Sequence, residues 1–459
     1  MSHKSIAVRL LLATSAATLL ALPLQAQESA ATRQLEELNP SLQRDVVRVS
    51  ERVYTAVGYS PANISMIIGD DGVIFVDTGM APSHAAAALA EFRKITDLPT
   101  VAIIYTHGHG DHTGGGMILA DGGTPQVWAR DNFGAEGAAF DSTGLTIQNR
   151  RGARQGGFRL PSEQRINNGV AAVFYPPRGD DGSVFAGNQQ LAPTHRFSEA
   201  RRSLTIAGVR LDLVAAPGET DDQLYVWLPD AGVLFSGDNF YASWPNAYAI
   251  RGTPYRDVRS WADAEDMMLQ EGAAALVPGH TRPIIGEADV AEALTDYRDA
   301  IRFVFDKTIE GMNQGLTPDE LVDYVHLPEG LAGKPYLAEV YGNVEWAVRA
   351  IFDGYLGWFD GNPTNLFSLP PREEAQRMSE LAGGADALMA HANQALATGD
   401  TQWALQLADH LIALDPAAPE LLLLKADALT LQAENTLTAT GRNYMLTVAL
   451  ELRAQAAEH

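Results

Sequence analysis

Between residues 45 and 290 the chain alternates short apolar runs, rich in Val, Ile and Leu, with clusters of Gly, Pro, Asp and Asn. Runs of this length bounded by turn residues predict strands. Val46-Val47-Arg48-Val49, Val53 to Val57 and Ile64 to Ile68 come first, and Gly69-Asp70-Asp71-Gly72 turns the chain into Val73-Ile74-Phe75-Val76 to complete a β-meander. An Ala-rich helix from about Ser83 to Ile95 leads to a buried strand at Val101 to Tyr105. Ser203 to Ile206 and Val209 to Val214 predict a hairpin across Ala207-Gly208, and Leu224 to Leu228, Val233 to Ser236 and Ala273 to Val277 predict further strands. The stretch from Thr143 to Thr194, rich in Gly, Arg, Asn and Pro, carries weak periodicity and reads as a long insertion or a loop flanking an active site. Beyond Val290 the strands stop. Helical spacing of Ala and Leu predicts helices at Tyr341 to Phe359, Asp386 to Ala397, Gln402 to Leu414 and Pro419 to Ala433. The expected class is α/β followed by an all-α region, with the change between residues 320 and 335 and the two parts taken as 27–325 and 326–459.

The ends of the apolar runs carry the chemistry. After Tyr105 comes Thr106-His107-Gly108-His109-Gly110-Asp111-His112, which holds three of the chain's 11 histidines. His107 and His109, two apart, can point to one side of an extended segment, while Asp111 and His112 fall where the chain turns. One metal cannot easily take all four groups, so the pattern predicts two adjacent metal sites with imidazole and carboxylate ligands. Glycines at 108, 110 and 114 to 116 are expected to permit the tight turns. Later runs deliver Glu219 after Pro217-Gly218, Asp238 after Ser236-Gly237 and His280 after Pro278-Gly279. Asp77, ending the fourth strand, is expected to support the His-rich loop from behind. His84 is read as a surface or helix-start residue, and His195, His326, His391 and His410 as structural.

Composition narrows the partners. With 33 Lys plus Arg against 57 Asp plus Glu, a net charge of −24, the protein repels nucleic acid and anionic membranes. An anionic small molecule therefore needs local cations to hold it. The absence of Cys means that any metal is bound without thiolate. Residues 1–26 combine Lys4 and Arg9, an apolar run from Leu10 to Leu22 and a Leu24-Gln25-Ala26 ending, the pattern of a secretory signal peptide. The expected location is the periplasm or the medium, with no stable membrane insertion.

The strand-end set of His107, His109, Asp111, His112, Glu219, Asp238 and His280 resembles the metallo-β-lactamase fold, an αβ/βα sandwich with a two-metal site at its edge. The resemblance implies that His107, His109 and Glu219 hold one metal and Asp111, His112 and His280 the other, with Asp238 and a hydroxide bridging them. Glutamate at 219 in place of the usual histidine is similar to the alkylsulfatase branch. So are Asn246-Ala247-Tyr248-Ala249-Ile250-Arg251-Gly252, Tyr341-Gly342-Asn343 and Tyr355-Leu356-Gly357-Trp358-Phe359-Asp360-Gly361-Asn362-Pro363. That branch often carries its glutamate one residue later, where this chain has Thr220, and glutamate where this chain has Asp238. It implies a hydrolase of alkyl sulfate esters with Asp111, Glu219 and Asp238 as catalytic residues and two zinc ions, although iron or manganese also suit carboxylate-rich sites. Asn246 and Arg251 match the sulfate-holding positions, with Tyr248 beside them, and Tyr241, Trp244 and Tyr255 are either alkyl-pocket or packing residues. The helical part implies a homodimer. A sterol-carrier-like third domain, present in long members, is expected to be lacking. Two divalent ions, three carboxylates and a hydroxide sum to about zero charge, so a sulfate monoanion would depend on Arg251, whose planar fork suits a tetrahedral oxyanion. Another two-metal hydrolase acting on a lactam, lactone or phosphoester, and a non-catalytic binding protein, are the alternatives.

Overall fold

The apolar strands are continuous rather than alternating because both of their faces are covered. In a computed structural model that describes residues 29–172 and 188–458, thirteen strands form two sheets. The first has seven strands in sequence order: β1 (Asp45–Arg48), β2 (Val53–Val57), β3 (Ile64–Ile68), β4 (Val73–Val76), β5 (Thr100–Ile104), β6 (Gln126–Arg130) and β7 (His195–Phe197). β1 to β4 run antiparallel, and β4 to β7 pair in parallel. The second has six: β8 (Arg201–Ile206), β9 (Val209–Ala215), β10 (Leu224–Leu228), β11 (Val233–Gly237), β12 (Ala275–Pro278) and β13 (Ile284–Ile285). The proposed signal segment, 1–26, lies outside the described residues.

Period-two alternation sorts the side chains into layers. Ile74, Val76, Ala102 and Ile104 meet Leu224, Val226 and Leu228 in the core between the sheets. Val73, Phe75, Ile103 and Tyr105, one residue out of phase, pack outward with Ala85, Ala88 and Phe92. On the far side, Tyr225, Trp227 and Leu234 pack with Trp261, Leu294 and Tyr297. The order is helix, sheet, sheet, helix, the expected αβ/βα sandwich.

Chain-order helices complete it. α1 (Ala30–Leu38) precedes the sheets, and α2 (Pro82–Phe92) covers the first. Two single turns follow, α3 (Gly110–Thr113) and α4 (Gly116–Leu119), then α5 (Ala135–Thr143) and α6 (Ile147–Gln155). α7 (Val258–Gln270) and the long α8 (Glu287–Asn313) cover the second sheet, joined by α9 (Pro318–Tyr324), α10 (Glu329–Ala332) and α11 (Val344–Leu356). α12 (Pro371–Ala382), α13 (Ala385–Thr398), α14 (Thr401–Leu414), α15 (Pro419–Glu434) and α16 (Ala439–Ala456) pack against one another around their own cores. Leu321, Val325 and Leu337 belong to the same core as Trp261 and Tyr225, so packing continues through the stretch where the sequence changes character.

Two expectations are corrected. The Thr143 to Thr194 stretch is not all loop, since α6 occupies Ile147–Gln155; residues 173–187 of it lie outside the described residues. His84 is at a helix start but buried, not on the surface, and burial pushes its imidazole down to about 4.

The buried stripe of α7, Val258, Trp261, Ala262, Glu265 and Met268, has a carboxyl group in its middle. Glu265 is fully buried, neither oxygen has a hydrogen-bond partner among the described residues, and burial, then Asp266, raises its pKa well above 4.5. A carboxyl group protonated in the fold but ionised in the unfolded chain costs stability as pH rises. The stability gap between Glu265→Gln and the wild type should therefore widen by about 1.4 kcal/mol per pH unit above roughly pH 4.5. Urea unfolding between pH 4.5 and 7.5 checks this; parallel curves would mean that Glu265 is already ionised in the fold.

Candidate metal centre and anion pocket

Both sheets present their strand ends to one edge, and hydrogen bonds across the gap fix the loops there. Leu224 N donates to Thr106 O at 2.9 Å, Asn63 N to Gly279 O at 2.7 Å, and Asn63 Nδ2 to Pro278 O at 2.9 Å and Thr281 O at 2.7 Å. The His-rich loop leaves β5 and the His280 loop leaves β12, so these bonds bring the two halves of the site into register. The glycines matter for space rather than for φ. Gly108, Gly110 and Gly114 to Gly116 all have ordinary backbone angles, but a methyl group at Gly114 would overlap the Met80 carbonyl, and one at Gly279 would overlap Asp238.

Seven side chains converge in two adjacent groups. Ligand atoms of His107, His109, Glu219 and Asp238 lie within 4.8 Å of one another, as do those of Asp111, His112 and His280. Glu219 Oε2 is 3.7 Å from His107 Nε2 and 3.2 Å from His109 Nδ1. Asp111 Oδ2 is 3.9 Å from His112 Nε2 and 3.6 Å from His280 Nε2. Asp238 stands between the groups, 3.7 Å from His107 Nε2, 3.1 Å from His112 Nε2 and 3.2 Å from His280 Nε2. His107 Nε2, His112 Nε2, Glu219 Oε2 and Asp238 Oδ1 are buried without a hydrogen-bond partner among the described residues. Buried polar atoms left bare in this way and aimed at one another fit a pair of cations. Thr220 bonds instead to Asp222, at 2.6 Å, so Glu219 is the residue presented to the histidines.

The outer ring nitrogens are held so that the inner ones face the carboxylates. His112 Nδ1 donates to Asp77 Oδ2 at 2.7 Å and His280 Nδ1 to Pro61 O at 2.7 Å. His107 Nδ1 is 3.0 Å from Thr106 Oγ1, which donates to Asp77 Oδ2 at 2.8 Å, and Thr106 N donates to Asp77 Oδ1 at 2.9 Å. Asp77, with φ +57°, thus orients a histidine of each group from behind, from its position at the end of β4.

The electrostatics describe a cation-seeking pocket. Burial lowers the His107 pKa well below 6.5. Burial also opposes charge on His112 and His280, but the surrounding carboxylates together outweigh it, Asp238 with Asp77 and Asp111 raising the first well above 6.5 and Asp238 with Asp111 raising the second to about 9. Asp238 is in turn held well below 3.8, its burial being outweighed by His112 and His280. Without a metal, protons take up the positive charge that these carboxylates favour.

One residue was not anticipated. Arg256 is buried, its guanidinium pairs with Glu219, and its Nη1 also donates to Asn246 O at 2.7 Å. Burial works against its charge, and Glu219, Tyr241 and Glu136 together outweigh it. The segment Pro254-Tyr255-Arg256-Asp257 has no pattern that marks it as functional, so only tertiary structure reveals it. Its charge shifts the near-neutral balance expected from the sequence by about one positive unit.

A cavity of about 330 Å³ opens over the cluster, the lower end of the range for small-molecule sites. Asn246, Arg251 and Arg256 line it together with His109, Asp111, Glu219, Asp238 and His280. Arg251 Nη2 lies 3.4 Å from His109 Nε2. Tyr248 is not on this wall: the turn puts Asn246 and Ala249 there and leaves Tyr248 off it, half-buried. Tyr241 and Trp244 are core residues and Tyr255 packs against Tyr355, so these three aromatics are packing. Phe140, Phe158 and Tyr341 supply the aromatic lining instead.

Asp77→Ala should leave the fold intact while weakening the affinity for a divalent ion such as zinc roughly 10–100-fold, the usual cost of losing the partner that orients a ligating histidine. Competition against a chelator measures it. Unchanged affinity would mean that Asp77 shapes only the backbone.

The metallo-beta-lactamase superfamily profile matches residues 57–280, and the profile described as alkyl sulfatase dimerisation matches residues 317–455. A linear primary-alkylsulfatase of Pseudomonas is 36% identical over 399 residues, which is 85% of this chain and 74% of that protein. An (R)-specific secondary-alkylsulfatase of Pseudomonas sp. is 32% identical over 439 residues, 91% of this chain and 65% of that one. The chain thus spans about two thirds to three quarters of the length of these relatives. The structure of the stereoselective inverting sec-alkylsulfatase Pisa1 from Pseudomonas sp. superposes with a TM-score of 0.85 at 30% identity, covering 94% of this chain and 69% of that one. The chain belongs to the alkylsulfatase family of the metallo-β-lactamase superfamily.

Proposed function

We propose that the protein hydrolyses alkyl sulfate esters to the alcohol and inorganic sulfate, at two metal ions held by His107, His109 and Glu219 on one side and Asp111, His112 and His280 on the other, with Asp238 between them. One observation carries this reading: a guanidinium, Arg251, and an amide, Asn246, share a single small cavity with the paired ligand clusters. Divalent ions, when bound, acidify a water molecule enough to provide a nucleophile near neutral pH. Zinc suits the imidazole and carboxylate donors, and iron or manganese are compatible with them.

The chain's own residues do the rest. Arg251 receives the sulfate oxygens with a planar, permanently charged fork, and Asn246 adds an uncharged donor. Arg256 holds Glu219 in place and offsets its charge, which lowers the repulsion that an arriving anion meets. Phe140 and Phe158 give the alkyl chain an apolar wall.

Residues 317–455 carry the dimerisation profile, and Trp358, Phe367 and Leu381 are 72%, 91% and 84% exposed, so we propose a homodimer that covers them. Export is proposed on the pattern of residues 1–26. Protein recovered from the periplasm or medium should begin near Gln27 by mass spectrometry and show twice the chain mass by light scattering. A full-length start or a monomer at micromolar concentration would remove the corresponding proposal.

Metal-loaded protein should release sulfate from medium-chain alkyl sulfates. Arg251→Ala should cost about 2–4 kcal/mol in kcat/KM with metal content unchanged, the scale for removing a charged donor from a water-poor site. Arg251→Lys should recover only part of that, because a point charge does not reproduce the fork. Sulfate release insensitive to Arg251→Ala would dismiss this residue as the anchor, and no release at all would dismiss the activity.

A further inference from the structure

Arg251 lies in an irregular segment; its Nη2 faces His109 of the metal loop at 3.4 Å, but among the described residues no strand holds its backbone. α6 does. Gln148 Nε2 donates to Gly252 O at 2.8 Å, Arg151 donates through Nε and Nη2 to Ile250 O at 3.1 and 2.7 Å, and Arg251 N donates to Gln155 Oε1 at 3.0 Å. Residues 148, 151 and 155 share one face of the helix. Together they grip the backbone on both sides of Arg251 and at Arg251 itself. Between them lies Gly152, where a methyl group would sit 3.8 Å from Arg251 Cδ, so the arginine stem runs along the same face. Gln155 is buried and lines the cavity.

α6 is tied in turn to the far end of the chain. Arg150 Nη2 donates to Glu451 Oε2 at 3.2 Å and Arg154 Nε to Glu451 Oε1 at 3.2 Å, while Arg154 Nη2 pairs with Glu451 Oε2. Arg154 Nη1 reaches Tyr444 OH at 3.3 Å, and its guanidinium lies 5.5 Å from the centre of that ring. Glu451 and Tyr444 belong to α16, so the contact runs from the last helix through α6 to the cavity wall.

We propose that Gln155 is a positioning residue for Arg251 and that Glu451, more than 190 residues away in sequence, sets the placement of the helix that carries it. The inference rests on the reading of Arg251 as the sulfate anchor. A guanidinium on four freely rotating bonds, attached to an untethered loop, loses entropy each time it captures an anion; fixing its backbone removes part of that cost before binding. The three α6 side chains hold the peptide groups rather than the guanidinium, whose Nη2 faces His109 Nε2 at 3.4 Å on the cavity wall. The helical region thereby contributes to substrate binding without touching the substrate.

The test is a double-mutant cycle read as affinity. Gln155→Met keeps side-chain volume, removes the acceptor and leaves net charge unchanged. It should raise KM for an alkyl sulfate and the inhibition constant of inorganic sulfate about 3–10-fold, the range for one lost hydrogen bond, with a smaller change in kcat and full metal content. In an Arg251→Ala background the same substitution should change neither constant, because it acts only through Arg251. Glu451→Gln, at a partly exposed position, should move both constants in the same direction by a smaller factor and supplies the second arm if Gln155→Met does not fold. Equal losses in both backgrounds, or inhibition constants that do not move, would overturn the proposal. If wild-type protein releases no sulfate, the activity reading fails by itself, and calorimetric binding of inorganic sulfate reads the cycle. No binding, or binding equal in wild type and Gln155→Met, would then overturn the positioning role.

Discussion

Three carboxylates and four imidazoles converge where the two sheets meet, and several of their inner atoms are buried with no protein partner. An ionised carboxylate buried alone is costly, and several together repel one another, so this arrangement is tolerated only with positive charge among them. Much of the surrounding structure answers that constraint. Asp77 and Pro61 fix the outer nitrogens of His112 and His280, so that the inner nitrogens face the centre. Close backbone approaches at Gly114 and Gly279 bring the loops near enough for the ligand atoms to meet. Asn63 and Leu224 bond across the gap and tie the two halves of the site together.

Arg256 is a permanent part of the same answer. Glu219 sits where a histidine would add no charge, and a buried guanidinium stands against it. A carboxylate paired to arginine through one oxygen keeps its other oxygen for a cation, while the pair as a unit is neutral. The exchange of histidine for glutamate therefore does not by itself make the centre more repellent to anions. Arg251 is consequently one of two local cations rather than the sole source of attraction, and its separate value lies in having a fork that faces the cavity.

The sandwich was legible because its strands are buried on both faces and so are apolar at nearly every position, and because ligand-type residues follow them directly. The seven strand-end residues meet as the loop spacing and the family resemblance together implied. What stayed hidden is held by tertiary contacts rather than by its own pattern. α6, Ile147–Gln155, has one apolar end and is otherwise Gln, Asn, Arg, Gly and Ala; its stability comes from the 250–252 backbone on one side and Glu451 on the other. α16 buries Arg442, Asn443 and Thr447 along with Leu446 and Ala449, so no apolar stripe marks it. Tyr248 lies off the cavity wall, and distance in sequence from Asn246 says nothing about which side of an irregular turn a side chain leaves.

These hidden elements resolve the tension between an acidic protein and an anionic substrate. A net charge of −24 is spread over a large surface, and at physiological ionic strength charges more than about 8 Å away are largely screened by salt. What an arriving sulfate meets at the cavity is therefore local, and there the cations are concentrated: Arg251 and Arg256 on the wall, with Arg151 behind them on α6. The global charge still opposes approach at low ionic strength, where screening reaches further, so it acts on the rate of encounter more than on the bound state. On the proposed function, affinity would be set by how firmly a few guanidinium groups are held, and in this fold the backbone of Arg251 is held by a polar helix that is itself clamped to the last helix of the chain.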